Sequence, residues 1–325
     1  MKPNVAIVGL GWWGRHIKNI LESDVSPMKL VATVDLDISA KPTTTDLNVV
    51  LKNSKIEAVI LCTPHSLHAD QIVMCAKAGK NVFSEKPLAL NAKDALRAVT
   101  ACRDRGLVLG IGHERRFEPG IKEVHRMIQS NELGTILHAE TSFSHDLFKA
   151  LPAGNWRGST LEAPAAGMTA MGIHLTDLLI SYFGQVATVS ANTARRFLTF
   201  DTGDVLSVQM QFKSGITASL SALSATPFYS RIAVFGSSSW VEMRDNDHPE
   251  KNAGTQITKC EHGGAPVTTH QAALNTTLAN LTAFAHSITG NNAYPFTDFD
   301  LIHNISVLEA IVKSAENGKV VAVKS

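Results

Sequence analysis

The stretch FSEKPLAL, residues 83–90, sets Glu85 and Lys86 side by side at the end of a short apolar run and follows them with Pro87. Such a lysine either closes a strand as half of a solvated charge pair or is aimed into a cleft to move a proton. The residue before a proline is pushed toward extended backbone, which sends Lys86 off the end of its strand. A second stretch, VGLGWWG, spaces Gly9, Gly11 and Gly14 between an apolar run and a helical pattern. The first glycine permits a tight turn and the second lets backbone approach a pyrophosphate. The third lets the helix pack on the strand, and the helix N-terminus faces the anion. An acidic residue about 20 positions on completes the dinucleotide fingerprint; here it is Asp35. Its carboxylate can accept hydrogen bonds from the hydroxyls of an adenosine ribose and repels a 2′-phosphate, so NAD is expected and NADP is disfavoured. A third stretch, AAGMTAMGIHLTDLL, places His174 at the start of an apolar helix after a glycine-containing turn.

These residues need elements to hold them. NVAIVG (4–9) reads as a buried strand, and Trp13, Ile17, Ile20 and Leu21 form a helical stripe after it. Further strands are expected at 29–35, 57–64, 81–87 and 107–113, with helical segments between them. Gly79 caps one helix, Asn91 starts the next, and Gly106 closes it. Strands that alternate with helices build right-handed βαβ units and a parallel sheet. Beyond residue 119 the pattern changes. Leu206, Val208, Met210 and Phe212 alternate with Ser207, Gln209 and Gln211, and a KSG turn follows. That is an antiparallel hairpin with one polar face. The expected fold is an α/β Rossmann domain, residues 1–118, followed by an α+β domain, residues 119–325, with a largely antiparallel open sheet and a closing C-terminal helix. Residues 244–272, polar with several glycines, read as a long loop.

Composition narrows the class. The chain has 325 residues, 44% of them apolar and 18% charged, with a formal net charge of +1. Nothing in that balance points to nucleic acid or a membrane surface. The four cysteines show no paired spacing, which argues against a disulfide framework or a zinc site and fits a reducing, cytoplasmic setting. The N-terminal apolar run is too short for a signal peptide.

The segments LCTPHSLHADQIVMCAKAGKNVFSEKPLA and GIGHERRFEPGIKEV, with the glycine loop, NWRG, GIHLTDLL and VLEAIVKSA, resemble the Gfo/Idh/MocA family, the glucose–fructose oxidoreductase and inositol dehydrogenase group. The resemblance spans nearly the whole chain. It implies hydride transfer to or from NAD(P) on a small-molecule substrate, usually a sugar, polyol or related hydroxy compound. It also implies a homo-oligomer built through the open sheet. It places Lys86 near the nicotinamide and the substrate hydroxyl. The positive charge of oxidised nicotinamide would lower the lysine pKa and make it a base. His174, in the family's Gly-x-His-x-x-Asp turn with Gly172 and Asp177, would share the substrate proton as second catalytic residue.

The implied cofactor set is Gly9, Gly11, Trp12, Trp13, Gly14, Asp35, Thr63, Pro64, His68, Glu85, Lys86 and Arg116. The implied substrate set is His113, Arg157, Met171 and His174. His65, His113 and His145 lack metal-ligand spacing, and no metal is expected.

Two departures stand out. Ala170 occupies a position where the family usually has an aspartate. Only LDISAKPTTT separates Asp35 from Asp46, too short for the family's usual helix and strand, so the adenine side should be more open. Two rival readings stay in view: a dehydrogenase of cyclic diols from aromatic breakdown, and a cofactor-binding regulator without catalysis.

Overall fold

The computed structural model describes residues 2–248, 251 and 253–324. The chain divides into two compact units, Met1–Glu114 with Thr277–Ile305, and Arg115–Thr276 with Ser306–Ser325. A linear division after residue 118 does not anticipate that Thr277–Ile305 returns to the first unit.

The first unit is a parallel five-stranded sheet in the order β2-β1-β3-β4-β5. Its strands are β1 (Asn4–Val8), β2 (Lys29–Val34), β3 (Ala58–Leu61), β4 (Asn81–Ser84) and β5 (Leu109–Ile111). Helices α1 (Trp12–Leu21), α2 (Leu47–Lys52), α3 (His68–Lys77) and α4 (Ala92–Arg103) connect them. The stripe on α1 buries Ile17, Ile20 and Leu21 against β1 and β3. Asn91 caps α4 by accepting the Asp94 N–H at 2.9 Å. Between β2 and α2 the chain makes only a 3-10 turn at Ile38–Ala40 and one parallel bridge, Val34 to Thr44. Leu36 and Ile38 are left 86% and 77% exposed on that turn.

Helix α7 (Thr276–Ile288) explains the returning segment. Leu281, Phe284 and Ala285 join Val5, Ile7, Ala58, Ile60 and Phe83 in one core cluster, and the Phe284 ring meets Phe83 edge-on at 5.5 Å. Gly110 of β5 has no side chain because both rings crowd its position. A Tyr294–Asn280 hydrogen bond of 2.6 Å, with both side chains on the main chain of Ile111, ties the segment to the end of β5. Phe284→Ala should therefore destabilise the protein by about 3–5 kcal/mol, seen as a lower denaturant midpoint. An unchanged midpoint would remove α7 from this core.

The second unit carries a nine-stranded sheet in the order β13-β12-β11-β10-β6-β9-β8-β7-β14. Every pair is antiparallel except β6 with β9. The strands are β6 (Ile136–Ser144), β7 (Val186–Ala194), β8 (Val205–Phe212), β9 (Thr217–Leu223), β10 (Tyr229–Gly236), β11 (Ser239–Asp245), β12 (Thr255–Glu261), β13 (Val267–Gln271) and β14 (Val321–Ala322). Helices α5 (Pro119–Gln129), α6 (Ile173–Phe183) and α8 (Asp298–Asn317) complete the helical set, with α8 shared between the two units. One sheet face is apolar. The other carries Glu140, Ser142, Ser207, Gln209, Gln211, Arg231 and Glu242, laced by Arg231 ion pairs of 2.7 Å to Glu140 and 2.6 Å to Glu242.

The long loop expected at 244–272 is largely a hairpin, β12 and β13 at the sheet edge, turning near Gly263. Residues 249, 250 and 252 of that stretch lie outside the described residues. The sequence signal failed because β13 is exposed along most of its length and so shows no apolar alternation.

Candidate active site

The glycine loop separates its three glycines by function. Gly9 has φ +91°, and a Cβ there would meet the Cys62 carbonyl oxygen at 2.5 Å. A Cβ on Gly14 would run into the Gly9 carbonyl. Gly11 caps α1 without a side chain, and a Cβ there would meet nothing within 4 Å. The first two are needed by the turn itself; the third leaves open space before the N–H groups of the first helical turn, which have no intrahelical acceptors. Trp12 is exposed beside that space, whereas Trp13 packs against the core and stacks on His16 at 4.8 Å. Asp35, at the carboxyl end of β2, accepts the Leu10 N–H at 2.5 Å and the Asp37 N–H at 2.8 Å. Those bonds fix the carboxylate at the mouth of the loop.

At the end of β4 the charge pair is not a solvated surface pair. Glu85 and Pro87 are buried, and Lys86 between them is partly exposed. The Lys86 N–H donates to the Glu85 carboxylate at 3.2 Å, and Gly112 lies against that carboxylate with no room for a side chain. The Lys86–Pro87 peptide bond is cis. His68, fully buried, lies between two main-chain carbonyls, Nδ1 at 2.7 Å from Pro87 O and Nε2 at 2.9 Å from Thr63 O. The ring ties the Thr63-Pro64 turn to the segment that follows Lys86. Thr63 donates its hydroxyl to Gln71 at 2.6 Å. His113, buried after β5, faces the Asn304 amide at 3.2 Å.

In the second unit His174 follows an unusual turn. Ala165 and Ala166 have φ of +58° and +54°, a region that disfavours side chains. The Ala166 N–H is held by the Thr202 carbonyl at 2.9 Å and the Thr202 hydroxyl at 3.0 Å. A π-helical turn, Met168–Gly172, leads into α6. Strained backbone and π turns concentrate at functional sites. Met168 and Met171 are fully enclosed, so the partly exposed residue of this turn is Ala170. Asp177, one turn beyond His174, receives the Arg116 guanidinium in two bonds of 2.7 Å, with Arg116 only 13% exposed. Arg116 is thus held on α6. Arg157 stacks over Trp156 at 4.1 Å.

The structure also gathers residues that the spacing did not flag. Arg115 is 1% exposed and binds Glu118 at 2.8 Å, Asp245 at 2.6 Å and Ser230 at 3.2 Å. Its guanidinium lies over the Phe143 ring at 4.8 Å. Burial pushes the Glu118 carboxyl up to about 7 against the pull of Arg115. The HERRF stretch shows two arginines, but only the fold reveals that the first is interior. Among the described residues no set of three His, Cys, Asp or Glu could hold a metal ion.

The model of the oxidoreductase family, NAD-binding Rossmann fold, matches residues 3–113, and that of the GFO/IDH/MocA C-terminal domain matches residues 121–242. The chain belongs to the Gfo/Idh/MocA oxidoreductase family. One relative in this family, a 2,7-anhydro-N-acetylneuraminate hydratase from Mediterraneibacter gnavus, is 28% identical over 64% of this chain and 58% of its own. A scyllo-inositol 2-dehydrogenase (NAD(+)) from Bacillus subtilis is 35% identical over 40% of this chain and 41% of its own. The chain therefore spans about half the length of these relatives. A solved structure of levoglucosan dehydrogenase in complex with NADH superposes with a TM-score of 0.87 over 100% of both chains, at 18% identity, a likeness of fold.

The loop fits a dinucleotide of the kind the Gfo/Idh/MocA Rossmann domain binds. Gly11 offers the open cradle, α1 offers its N-terminus, and Asp35 stands fixed at the end of β2. No helix among the described residues is long and apolar enough to cross a membrane.

Proposed function

We propose that this protein is an NAD-dependent dehydrogenase acting on a CH–OH group of a small hydroxylated ring or polyol compound. The observation that carries this reading is the placement of Lys86. It is the accessible residue between buried Glu85 and Pro87 at the carboxyl end of β4, where doubly wound sheets bind ligands. The nicotinamide, when bound, supplies the hydride acceptor. Lys86, as the neutral amine, takes the hydroxyl proton while the carbon gives up its hydride, so an alcohol becomes a ketone and one proton is released. The Arg116–Asp177 pair holds the helix that carries His174, the second candidate for handling a substrate proton. Ala170 removes one charged acceptor from the site, which favours substrates with an apolar or deoxy face over fully hydroxylated ones. The names of the relatives include a dehydrogenase and a hydratase, so the reaction is best tested directly. Reduction of NAD on a panel of sugars, cyclic polyols and cyclic diols should reveal a substrate. Tight NAD binding with no turnover on any compound would instead support a regulator. A homo-oligomer through the polar sheet face and a cytoplasmic location belong to the same proposal, and light scattering in solution tests the former.

The cofactor should be NAD. The Asp35 carboxylate is anchored by two backbone N–H groups and cannot swing away from a 2′-phosphate. Calorimetric titration should show tighter binding of NAD than of NADP. Asp35→Ser should narrow the ratio by roughly tenfold, about 1.4 kcal/mol, even if both affinities fall through the lost Leu10 contact. Equal affinities in the unmodified protein would refute this.

A further inference from the structure

The turn ahead of His174 is gripped by the connection between β7 and β8, residues 195–204, a segment the proton-transfer chemistry above does not use. Ala165 and Ala166 are consecutive alanines at positive φ. Side chains disfavour that region, and such backbone persists only where its surroundings over-determine it. Here Thr202 supplies the hold on the second alanine. The Ala166 N–H meets both the carbonyl and the hydroxyl of Thr202, at 2.9 and 3.0 Å. The same hydroxyl donates to the Ala163 carbonyl, and the Thr202 N–H donates to the Gly158 carbonyl at 3.3 Å. Thr202 is 5% exposed, and Ala163 and Ala166 are enclosed with it. A hydroxyl carries one proton and two lone pairs. Between Ala163 and Ala166 it commits the proton and a lone pair, which valine, with the same shape, cannot do.

The connection that carries Thr202 is itself pinned. The buried Asp204 carboxylate accepts three consecutive main-chain N–H groups, Arg196 at 2.9 Å and Phe197 and Leu198 at 2.6 Å. The Asp204 N–H donates to Ala194 at the end of β7, and its carbonyl accepts the Ser224 N–H just beyond β9, both at 2.9 Å. Gly203, next to Thr202, has φ +86°, and a Cβ there would meet the Ala194 carbonyl oxygen at 2.8 Å. The Phe200 ring lies where a side chain on Gly158 would stand. On the other side of the two alanines the path to His174 is short. The N–H groups of Met171 and Gly172 both close on the Gly167 carbonyl, at 2.9 and 3.0 Å, and His174 follows two residues later. We propose that Thr202 is a positioning residue for His174: its hydroxyl and carbonyl fix the left-handed Ala165-Ala166 pair, and that pair sets, through the π-helical turn, where the imidazole stands. The consequence for turnover rests on the dehydrogenase reading, in which His174 handles a substrate proton.

The test compares Thr202→Val, which keeps the shape and loses the hydroxyl, with Thr202→Ser, which keeps the hydroxyl. The first readout does not depend on turnover. In NMR spectra of protein with isotope-labelled histidine, the His174 imidazole is the signal lost in His174→Gln. Thr202→Val should move that signal, Thr202→Ser should return it, and the signal of exposed His286 on α7 should stay in place in both. The second readout is single-turnover hydride transfer with the best compound of the panel. It should fall roughly ten- to a hundred-fold in Thr202→Val, as it does when a reacting group is misplaced by about an ångström. NAD affinity should be unchanged, and Thr202→Ser should regain most of the rate. Glycine adopts positive φ as readily as negative, so adding Ala166→Gly to Thr202→Val should recover part of both readouts, and should recover folding if Thr202→Val alone does not fold. An unmoved His174 signal in folded Thr202→Val, a change that serine does not reverse, or a double variant no better than Thr202→Val would each overturn the assignment while leaving the dehydrogenase standing. A His174 signal that moves with valine and returns with serine, in a protein that reduces NAD with no compound, would support the positioning role and remove the dehydrogenase.

Discussion

Lys86→Met should bind NAD within a few-fold of the unmodified protein and turn over ~10²–10⁴-fold more slowly, the loss typical of a missing general acid–base group. The main chain at this step is committed: the Lys86 N–H donates to Glu85, and the Pro87 carbonyl that follows meets His68. Methionine preserves both main-chain bonds and is close in length, while it removes the ammonium group. Lys86 is partly exposed, whereas the residues on either side are buried. Single-turnover hydride transfer, measured with the best substrate from the panel, separates chemistry from product release. Undiminished transfer would mean that Lys86 only helps to shape the site.

The second large effect distinguishes two glycines of the same loop. Gly14→Ala should lower stability by roughly 1–3 kcal/mol or more, because the new methyl meets the Gly9 carbonyl, which cannot rotate away as a side chain would. Gly11→Ala should fold as before. Its backbone, φ −61° and ψ −171°, suits any residue, and the added methyl meets no protein atom within 4 Å. That methyl occupies the space through which a pyrophosphate approaches α1, so NAD binding should be lost. Thermal melts with and without cofactor separate the cases. NAD at a hundred times its dissociation constant adds about 2.7 kcal/mol of stability to a protein that binds it. Gly11→Ala should melt like the unmodified apo-protein and show no shift on adding NAD, whereas Gly14→Ala should melt early in both conditions. A full NAD-induced shift in Gly11→Ala would show that the cofactor does not approach there.

The parts of this protein that could be read from sequence are those determined within a few residues of each other. The glycine loop, the Asn91 cap, the Lys86-Pro87 step and the β8–β9 hairpin each rest on backbone freedom, a local hydrogen bond or a short alternation. Such features keep their meaning wherever the chain goes next. Asp35 was legible for the same reason, since β1, α1 and β2 form one compact unit. Other features depended on partners far away in the chain. Helix α7 joins the parallel sheet because Phe284 completes a core begun by Val5 and Phe83. Its apolar residues alone do not say which sheet they will cover. The β12–β13 hairpin gains its order from backbone pairing at a sheet edge, and such pairing leaves little trace in polar side chains. Arg115 and Arg116 are adjacent in sequence yet divide their work between Asp245 and Asp177, because successive residues leave the backbone in different directions. The packing of His145 and His248 on the Phe143 ring is the furthest from sequence: strand register alone brings them together, and register is set by the pairing of whole strands.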